Sequence, residues 1–242
     1  DDISFQRIGF FAANGLEEAE WEAVELGKLL ESRLNSGAVL RLLGESGLAM
    51  TATEYADNFD WGVEEKNNAD GRVLKVKHAN RLWIDFPRAY WPQVVEIAKK
   101  HKVDPYLVLA VARQESTFRP ALTSSAGASG VMQLMPTTAQ GLAKGDPTIT
   151  KDHGLNLEHP EVSLRLGVRY LAHMLERCDG NIVFALASYN AGPGNCAKWR
   201  KQFGNLDTEA FIEQIPFSET RDYVKKVLGN YAAYLSLYPP AS

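Results

Sequence analysis

The feature that most constrains this chain is a short helical segment that carries one acidic side chain on its apolar face. Val108, Val111, Ala112 and Glu115 follow one another at the i, i+3, i+4, i+7 spacing of a helix. This spacing places the Glu115 carboxyl on the apolar stripe of the helix and away from its polar face. Pro120 and the residue before it disfavour helix, so Glu115 is predicted to lie near the C-terminal end.

The predicted position of Glu115 implies an unusual affinity for a proton. Burial disfavours the charged form of a carboxyl, and the negative end of the helix dipole does the same. Both effects raise the pKa, as a carboxyl needs if it is to stay protonated and act as a general acid near neutral pH. A lone glutamate on such a face is equally compatible with a partner of a buried arginine or with a surface residue at a helix end.

Length, composition and charge limit the class of protein. The 242 residues suffice for one large domain or two small ones, and the 45% apolar content is that of a globular protein. A net charge of -4 gives no reason to expect nucleic acid as a partner. We see no transmembrane segment and no signal peptide. Because the chain begins at Asp1 without a methionine, we expect a fragment of a longer protein or, less favoured, a processed mature end.

The distribution of apolar residues predicts two regions. Residues 1–70 contain short helical patterns separated by tight turns, which fits stacked antiparallel helices as in an α-solenoid or an ordinary helical subdomain. Residues 62–80 are charged and predict a connecting loop, with a brief extended stretch at 72–76. The rest needs only helices. We therefore predict an all-α chain with a smaller helical region at 1–80 and a larger domain at 81–242.

Cysteine and histidine residues give weak signals. Cys178 and Cys196 flank a predicted helix, so a disulfide is geometrically possible, although two free buried thiols are the favoured interpretation. The five histidines match no metal-binding motif, since the chain contains neither His-Glu-x-x-His nor Cys-x-x-Cys. We expect no metal.

Further polar residues stand at places where a cleft could form. A loop of small residues at 123–130 allows close backbone approach, and it leads into the apolar run 131–136, whose single amide is Gln133. An amide in such a run should be exposed or fixed by hydrogen bonds. Tyr189 and Asn190 end a predicted helix, where they are either cleft residues or simply a core tyrosine and a C-terminal cap.

Four motifs in a fixed order connect these observations. They are Glu-Ser at 115–116, Gly-Val-Met-Gln at 130–133, Ser-Tyr-Asn-Ala-Gly at 188–192 and Ile-Pro-Phe-x-Glu-Thr-Arg-x-Tyr at 215–223. Together they resemble the catalytic domain of the family 1 lytic transglycosylases, of the soluble lytic murein transglycosylase type, over residues 85–238. The last motif favours the soluble type over more distant lysozyme-like relatives. Val131 and Ser188 depart from the residues usual in the family, leucine and often alanine, without altering the implied chemistry.

The resemblance implies a lysozyme-like α-fold for residues 81–242 and, for residues 1–80, the end of a superhelical region. It implies cleavage of the β-1,4 bond between N-acetylmuramic acid and N-acetylglucosamine in peptidoglycan, with a 1,6-anhydromuramic acid product. Glu115 would act first as the acid and then as the base. No cofactor is implied. The implied partners are peptidoglycan glycan strands and other cell-wall enzymes, and the implied location is the periplasm.

The resemblance also implies roles for other side chains. Ser124 and Gln133 would hydrogen-bond the sugar or its N-acetyl group, and Met135 would line the cleft. Tyr189 would hydrogen-bond near Glu115 or the transition state, Asn190 would hold its loop, and Glu219 would be a cleft carboxylate that raises the pKa of Glu115. Arg221 and Tyr223 could be either structural or functional.

Two other functions remain open at this point. A hydrolase of the goose-lysozyme type would share the single glutamate but use water as the nucleophile. A catalytically silent peptidoglycan-binding module of an envelope assembly would keep the cleft and tolerate loss of the acid. The motif at 215–223 favours the transglycosylase over the hydrolase, and Glu115 itself favours an enzyme over the silent module.

Overall fold

The computed structural model describes residues 64–67, 73–76, 85–144 and 147–238. Most of the region 1–80, which was predicted to be helical, therefore lies outside the described residues. The part of it that is described consists of two short strands. Strands β1 (Glu64–Asn67) and β2 (Val73–Val76) form an antiparallel pair in which Glu64 is opposite Val76. The extended stretch predicted at 72–76 is confirmed over β2.

The chain divides into two compact units. One contains residues 1–91 with 117–119, and the other contains residues 92–116 with 120–242. Every side chain of the predicted site belongs to the second unit, which is described below.

Between residues 85 and 238, all the regular structure that the model describes is helical, apart from isolated bridges in the loop before α3. The all-α prediction is thereby confirmed for the larger domain. The helices are α1 (Trp91–His101), α2 (Pro105–Ser116), α3 (Pro136–Ala143), α4 (Pro160–Arg177), α5 (Ile182–Ala191), α6 (Pro193–Phe203), α7 (Thr208–Gln214) and α8 (Ser218–Leu237), with a short 3-10 helix at Pro147–Thr150 between α3 and α4.

Local sequence explains where several helices begin. A proline occupies the first position of α2, α3, α4 and α6, where its fixed φ fits the helix and its missing N–H has no intrahelical partner to lose. The Asp104 carboxylate caps α2, because its Oδ1 accepts a hydrogen bond from the backbone N–H of Tyr106 at 2.8 Å.

Helix α5 forms the centre of the domain. It packs against α4, α6 and α8, and six of its ten residues are buried. A helix that is apolar around most of its circumference must be covered on several sides, which explains this central position. The C-terminal end of α5, with Tyr189 and Asn190, is thereby fixed relative to the neighbouring helices.

Polar contacts fix α2 against α8. The Arg113 guanidinium donates to the Asn230 side-chain oxygen at 3.1 Å, and the Asn230 amide donates to the Ala110 carbonyl at 3.4 Å. Nearer the start of α2, the Tyr231 hydroxyl donates to the Asp104 carboxylate at 2.9 Å. These contacts set the register of the two helices and so bring the end of α2 beside the first turns of α8.

Both cysteines are free and buried. The Cys178 sulfur lies 3.6 Å from the Ser188 hydroxyl oxygen, and the Cys196 thiol donates to the Phe184 carbonyl at 3.2 Å. Burial raises the pKa of Cys196, which keeps it in the unreactive thiol form. The favoured prediction of two free thiols is confirmed.

Within the described ranges, no helix combines the length and the apolar character that a membrane crossing requires.

Candidate active site

The candidate site is organised around the carboxyl of Glu115 in the last turn of α2. This side chain is partly exposed, and its Oε1 accepts a hydrogen bond from the Tyr223 hydroxyl of α8 at 2.7 Å. Burial raises the pKa of Glu115 to about 7; the Tyr223 hydrogen bond lowers it, and the nearby charge of Glu219 raises it. The pKa of Tyr223 is raised well above its usual range by burial, so this hydroxyl remains a donor. The raised pKa predicted for Glu115 is confirmed.

A cleft of about 680 Å³ opens beside Glu115. Its walls contain all six of the other side chains predicted for the site: Ser124, Gln133, Met135, Tyr189, Asn190 and Glu219. The fold therefore gathers residues from α2, the loop before α3, the end of α5 and the start of α8 around one carboxyl.

The loop that carries Gln133 is held in a conformation that few sequences accept. Gly130 has a φ of 82°, and Gln133 itself has a φ of 46°, which is uncommon for a residue with a side chain. The Gln133 amide nitrogen donates to the carbonyls of Leu122 at 2.7 Å and Gly130 at 2.9 Å. These bonds offset the strain, and they confirm that the amide in this apolar run is fixed by hydrogen bonds.

Three further hydrogen bonds fasten the same loop to its surroundings. The Ser116 hydroxyl donates to the Val131 carbonyl at 2.8 Å, at the end of the helix that carries Glu115. The Met132 N–H donates to the Ser163 hydroxyl of α4 at 3.1 Å, and the Met132 carbonyl accepts from the Tyr189 hydroxyl of α5 at 2.9 Å. These bonds connect the cleft wall around Gln133 to α2, α4 and α5.

Asn190 connects the end of α5 to the start of α8. Its side-chain oxygen accepts a hydrogen bond from the Thr220 hydroxyl at 2.6 Å. The neighbouring Arg221 donates to the Ile215 carbonyl at 3.1 Å, which holds the turn that leads into α8. These contacts position the turn that presents Glu219 to the cleft.

Comparison with known protein families shows which family has a sequence like that of this domain. Residues 93–212 match the family model described as the transglycosylase SLT domain, and residues 214–238 match that of the soluble lytic transglycosylase helical domain. The chain belongs to the soluble lytic transglycosylase family. The match to the helical-domain model covers residues 214–238 and not residues 1–80. That residues 1–80 are the end of a superhelical region therefore stays a prediction.

Two curated relatives of this soluble lytic transglycosylase family member illustrate the similarity. It is 39% identical over 161 residues to the soluble lytic murein transglycosylase of Salmonella typhimurium. The aligned segment covers 64% of this chain and 25% of the relative. It is 30% identical over 206 residues to the putative soluble lytic murein transglycosylase of Haemophilus influenzae. Here the aligned segment covers 78% of this chain and 34% of the relative. The chain thus spans a quarter to a third of the length of these relatives.

Solved structures give the same result. The 70 kDa soluble lytic transglycosylase of Escherichia coli matches with a TM-score of 0.69 and 29% identity, over 91% of this chain and 33% of the other. A second match is an inactive mutant of the lytic transglycosylase Slt from Pseudomonas aeruginosa, in which glutamine replaces a glutamate. Its TM-score is 0.66 and its identity 28%, over 100% of this chain and 38% of the other. A complex of the 70 kDa enzyme with bulgecin A matches with a TM-score of 0.65 and 30% identity, over 91% and 36%.

In this transglycosylase-family chain, the hydrogen bond to Glu115 is made by Tyr223. Tyr189, expected to hydrogen-bond near Glu115 or the transition state, lines the same cleft, and burial followed by the nearby charge of Glu115 raises its pKa. Its hydroxyl donates to the Met132 carbonyl, and its ring packs against Tyr170, with the ring centroids 5.0 Å apart. Its place in the motif at 215–223 singled out Tyr223 in the sequence, and structural and functional roles were left equally open. Tyr170 of α4, which was not predicted as a site residue, also lines the cleft.

Tyr223→Phe should raise the pKa of Glu115 further above its value of about 7. The hydroxyl stabilises the carboxylate form, so its removal favours the protonated form. In a pH profile of kcat/KM for the glycan cleavage proposed below, the alkaline limb, where the free enzyme would lose its acid, should move to higher pH. Tyr231→Phe is the matched control, because it removes a hydroxyl from the same helix that bonds Asp104 instead. An alkaline limb at the same pH in both variants would contradict this role for Tyr223.

Proposed function

We propose that this chain is a lytic transglycosylase that cleaves the β-1,4 bond between N-acetylmuramic acid and N-acetylglucosamine in peptidoglycan and leaves 1,6-anhydromuramic acid ends. The observation that carries the proposal is the carboxyl of Glu115, which has a pKa raised to about 7 and stands in the wall of the cleft. Membership of the soluble lytic transglycosylase family and the names of the murein transglycosylase relatives support the substrate class.

In the first step, protonated Glu115 donates its proton to the glycosidic oxygen. The bond from that oxygen to the muramoyl anomeric carbon breaks, and positive charge develops on the sugar as the leaving hydroxyl departs. A carboxyl that is protonated near pH 7 is suited to this step, whereas one with the ordinary pKa would already be ionised.

In the second step, the Glu115 carboxylate accepts the proton of the muramoyl C6 hydroxyl while the C6 oxygen bonds to the anomeric carbon. This step closes the anhydro ring and restores the protonated acid, so no water is consumed. The Tyr223 hydrogen bond stabilises the carboxylate that exists between the two steps. Because the nucleophile belongs to the substrate, the reaction needs no second carboxylate of the kind that a retaining or inverting pair requires.

The remaining cleft residues would bind and orient the glycan. Ser124 accepts a hydrogen bond from the Ala128 N–H at 3.0 Å, which leaves its O–H able to donate to a sugar oxygen. Met135 is 41% exposed and offers an apolar contact to a sugar face. Gln133 and Tyr189 would supply polar contacts from a wall that is already fixed, and Asn190 and Glu219 would complete the opposite side.

Glycan strands of peptidoglycan are thus the proposed partner, and the periplasm of a bacterial cell is the proposed location. Other cell-wall enzymes are further proposed partners. The location follows from the substrate and from relatives named as murein transglycosylases of bacteria. We also expect bulgecin A, which is bound in one structural neighbour, to bind this chain in the cleft beside Glu115.

Mass spectrometry of the soluble products from purified peptidoglycan tests the proposal. The expected products are muropeptides with anhydromuramic acid ends, which should vanish when Glu115→Gln replaces the native chain. Products that are heavier by one water would establish the hydrolase of the goose-lysozyme type. A folded chain that retains glycan and releases nothing would indicate a silent binding module.

A further inference from the structure

Three side chains that the proposed reaction does not use converge around the start of α4. His153 belongs to the segment before α4, His159 immediately precedes its first residue, and Glu161 lies in its first turn. One potential ligand atom from each residue lies within 4.8 Å of those from the other two. The two imidazole rings are stacked, with their centroids 3.6 Å apart and an angle of 15° between their planes. None of the three residues lines the cleft beside Glu115.

His159 gives an independent reason to expect a ligand at this place. Its side chain is buried, with 8% of its surface exposed, and neither ring nitrogen finds a hydrogen-bond partner among the described residues. Native structures rarely bury a polar nitrogen without a partner, because the lost hydration is not replaced.

We propose that His153, His159 and Glu161 bind one zinc ion. Two imidazole nitrogens and one carboxylate oxygen form a donor set that zinc accepts, with water as the fourth ligand on the side where His153 is exposed. Magnesium and calcium prefer sites made entirely of oxygen atoms, so this donor set discriminates against them.

Binding requires a small rearrangement of side chains. Ligand atoms around a tetrahedral zinc ion lie roughly 3.4 Å apart, given metal–ligand distances of about 2.0–2.1 Å. The three donors must therefore approach one another, and the stacked rings must tilt so that both lone pairs point at the ion. Because His153 is exposed and His159 is buried, we expect the His153 ring to move onto the ion.

The surrounding charges set the strength of binding. Arg165 contacts Oε1 of Glu161 at 2.7 Å, which leaves the second carboxylate oxygen for the metal. The arginine charge and the positive end of the α4 dipole oppose a cation, and the Glu161 carboxylate favours it. The expected affinity is accordingly lower than that of a closed site with four protein ligands.

The proposed ion would support the loop that carries Gln133. The Leu157 carbonyl lies directly against Gly130, and the Ser163 hydroxyl accepts the hydrogen bond from the Met132 N–H. Leu157 and Ser163, which flank His159 and Glu161 in the chain, thus form the layer behind the loop at 130–133. An ion held by this layer would stabilise the fold, and the proposal does not depend on the chemistry at Glu115.

The test is zinc binding by the full chain after removal of metals with a chelator. We expect isothermal titration with zinc chloride and elemental analysis after gel filtration to give one zinc ion per chain. Saturating zinc should raise Tm by about 3 °C or more. Magnesium chloride should do neither. His153→Ala and Glu161→Gln alter side chains that are not fully buried, so both variants should fold, and each should weaken zinc binding at least about tenfold.

His173→Ala is the matched control, because it removes an exposed histidine from the same helix outside the cluster. Its zinc affinity should equal that of the native chain. The proposal is overturned if the chain binds no stoichiometric zinc, or if His153→Ala and Glu161→Gln bind it as tightly as the native chain. It is equally overturned if His173→Ala weakens binding as much as they do, since that result indicates adventitious binding to surface histidines.

Discussion

Glu115→Gln is expected to lower kcat for release of anhydromuropeptides by about 10³-fold. General acid–base catalysis typically contributes roughly 10²–10⁴-fold to a rate, and in the proposed mechanism one carboxyl performs both proton transfers. Glutamine has nearly the same shape but can neither donate nor accept the proton in question. The Tyr223 hydroxyl can still donate to the glutamine amide oxygen, so the geometry of the cleft should persist.

Two measurements make this result specific. Binding of glycan fragments to the Glu115→Gln variant should remain close to that of the native chain, because the cleft walls are unchanged. Glu209→Gln, which alters an exposed carboxylate in the first turn of α7, should retain full kcat. If Glu115→Gln kept a rate near that of the native chain, the proposed mechanism would be wrong.

Gly130→Ala is expected to lower the free energy of unfolding by about 3 kcal/mol or more. At a φ of 82° a side chain costs about 1–2 kcal/mol on conformational grounds alone. In addition, a Cβ atom at this position would meet the Leu157 carbonyl oxygen and would lie 2.7 Å from the Ser163 hydroxyl. The contact is with backbone, which cannot yield as a flexible side chain can, so the loop must move.

Gly127→Ala separates the two contributions. Gly127 has a similar φ of 87°, but a Cβ there would have nothing within 4 Å, so only the conformational cost applies. Urea unfolding at matched m-values should therefore show a clearly smaller loss for Gly127→Ala than for Gly130→Ala. Equal losses would show that the close contact with the layer behind the loop has no energetic weight.

Since Gly130 holds the loop of Gln133, its variant should also lose activity in the fraction that remains folded.

The pKa of Glu115 results from opposing effects that the fold keeps in balance. Burial is the largest and raises the pKa, as does the charge of Glu219, whereas the Tyr223 hydrogen bond lowers it. A carboxyl with a much higher pKa would be a poor base in the second step, and one with an ordinary pKa would be a poor acid in the first. The tyrosine therefore keeps the carboxyl suited to both proposed roles.

The sequence was informative where the determinants are local. Helical spacing placed Glu115 on a buried face, and Pro120 predicted the end of its helix, which the structure places at Ser116. The apolar run around Gln133 predicted an amide that is either exposed or fixed by hydrogen bonds, and two carbonyls fix it. The other cleft residues could be assigned to the same site as Glu115 only through the family resemblance. Each of their motifs is weak when considered alone.

The sequence was uninformative where contacts join distant residues. Tyr223 and Glu115 are 108 positions apart, and periodicity reports only that each faces the interior, without naming its partner. For the same reason the sequence could not show that the Tyr189 hydroxyl, expected to bond near Glu115 or the transition state, donates to the Met132 carbonyl. The cluster of His153, His159 and Glu161 matches no metal-binding motif, because a turn of the chain before α4 brings His153 back to the other two.

The most direct test of the central claim is a titration of the Glu115 carboxyl itself. In a chain labelled with ¹³C at glutamate side-chain carboxyls, Glu115→Gln identifies the relevant NMR resonance by its loss. Its chemical shift should change with a midpoint at a pH of about 7, and Tyr223→Phe should move that midpoint upward. A midpoint near 4.5, the ordinary value for glutamate, would mean that the carboxyl is ionised at neutral pH and cannot serve as the proposed acid.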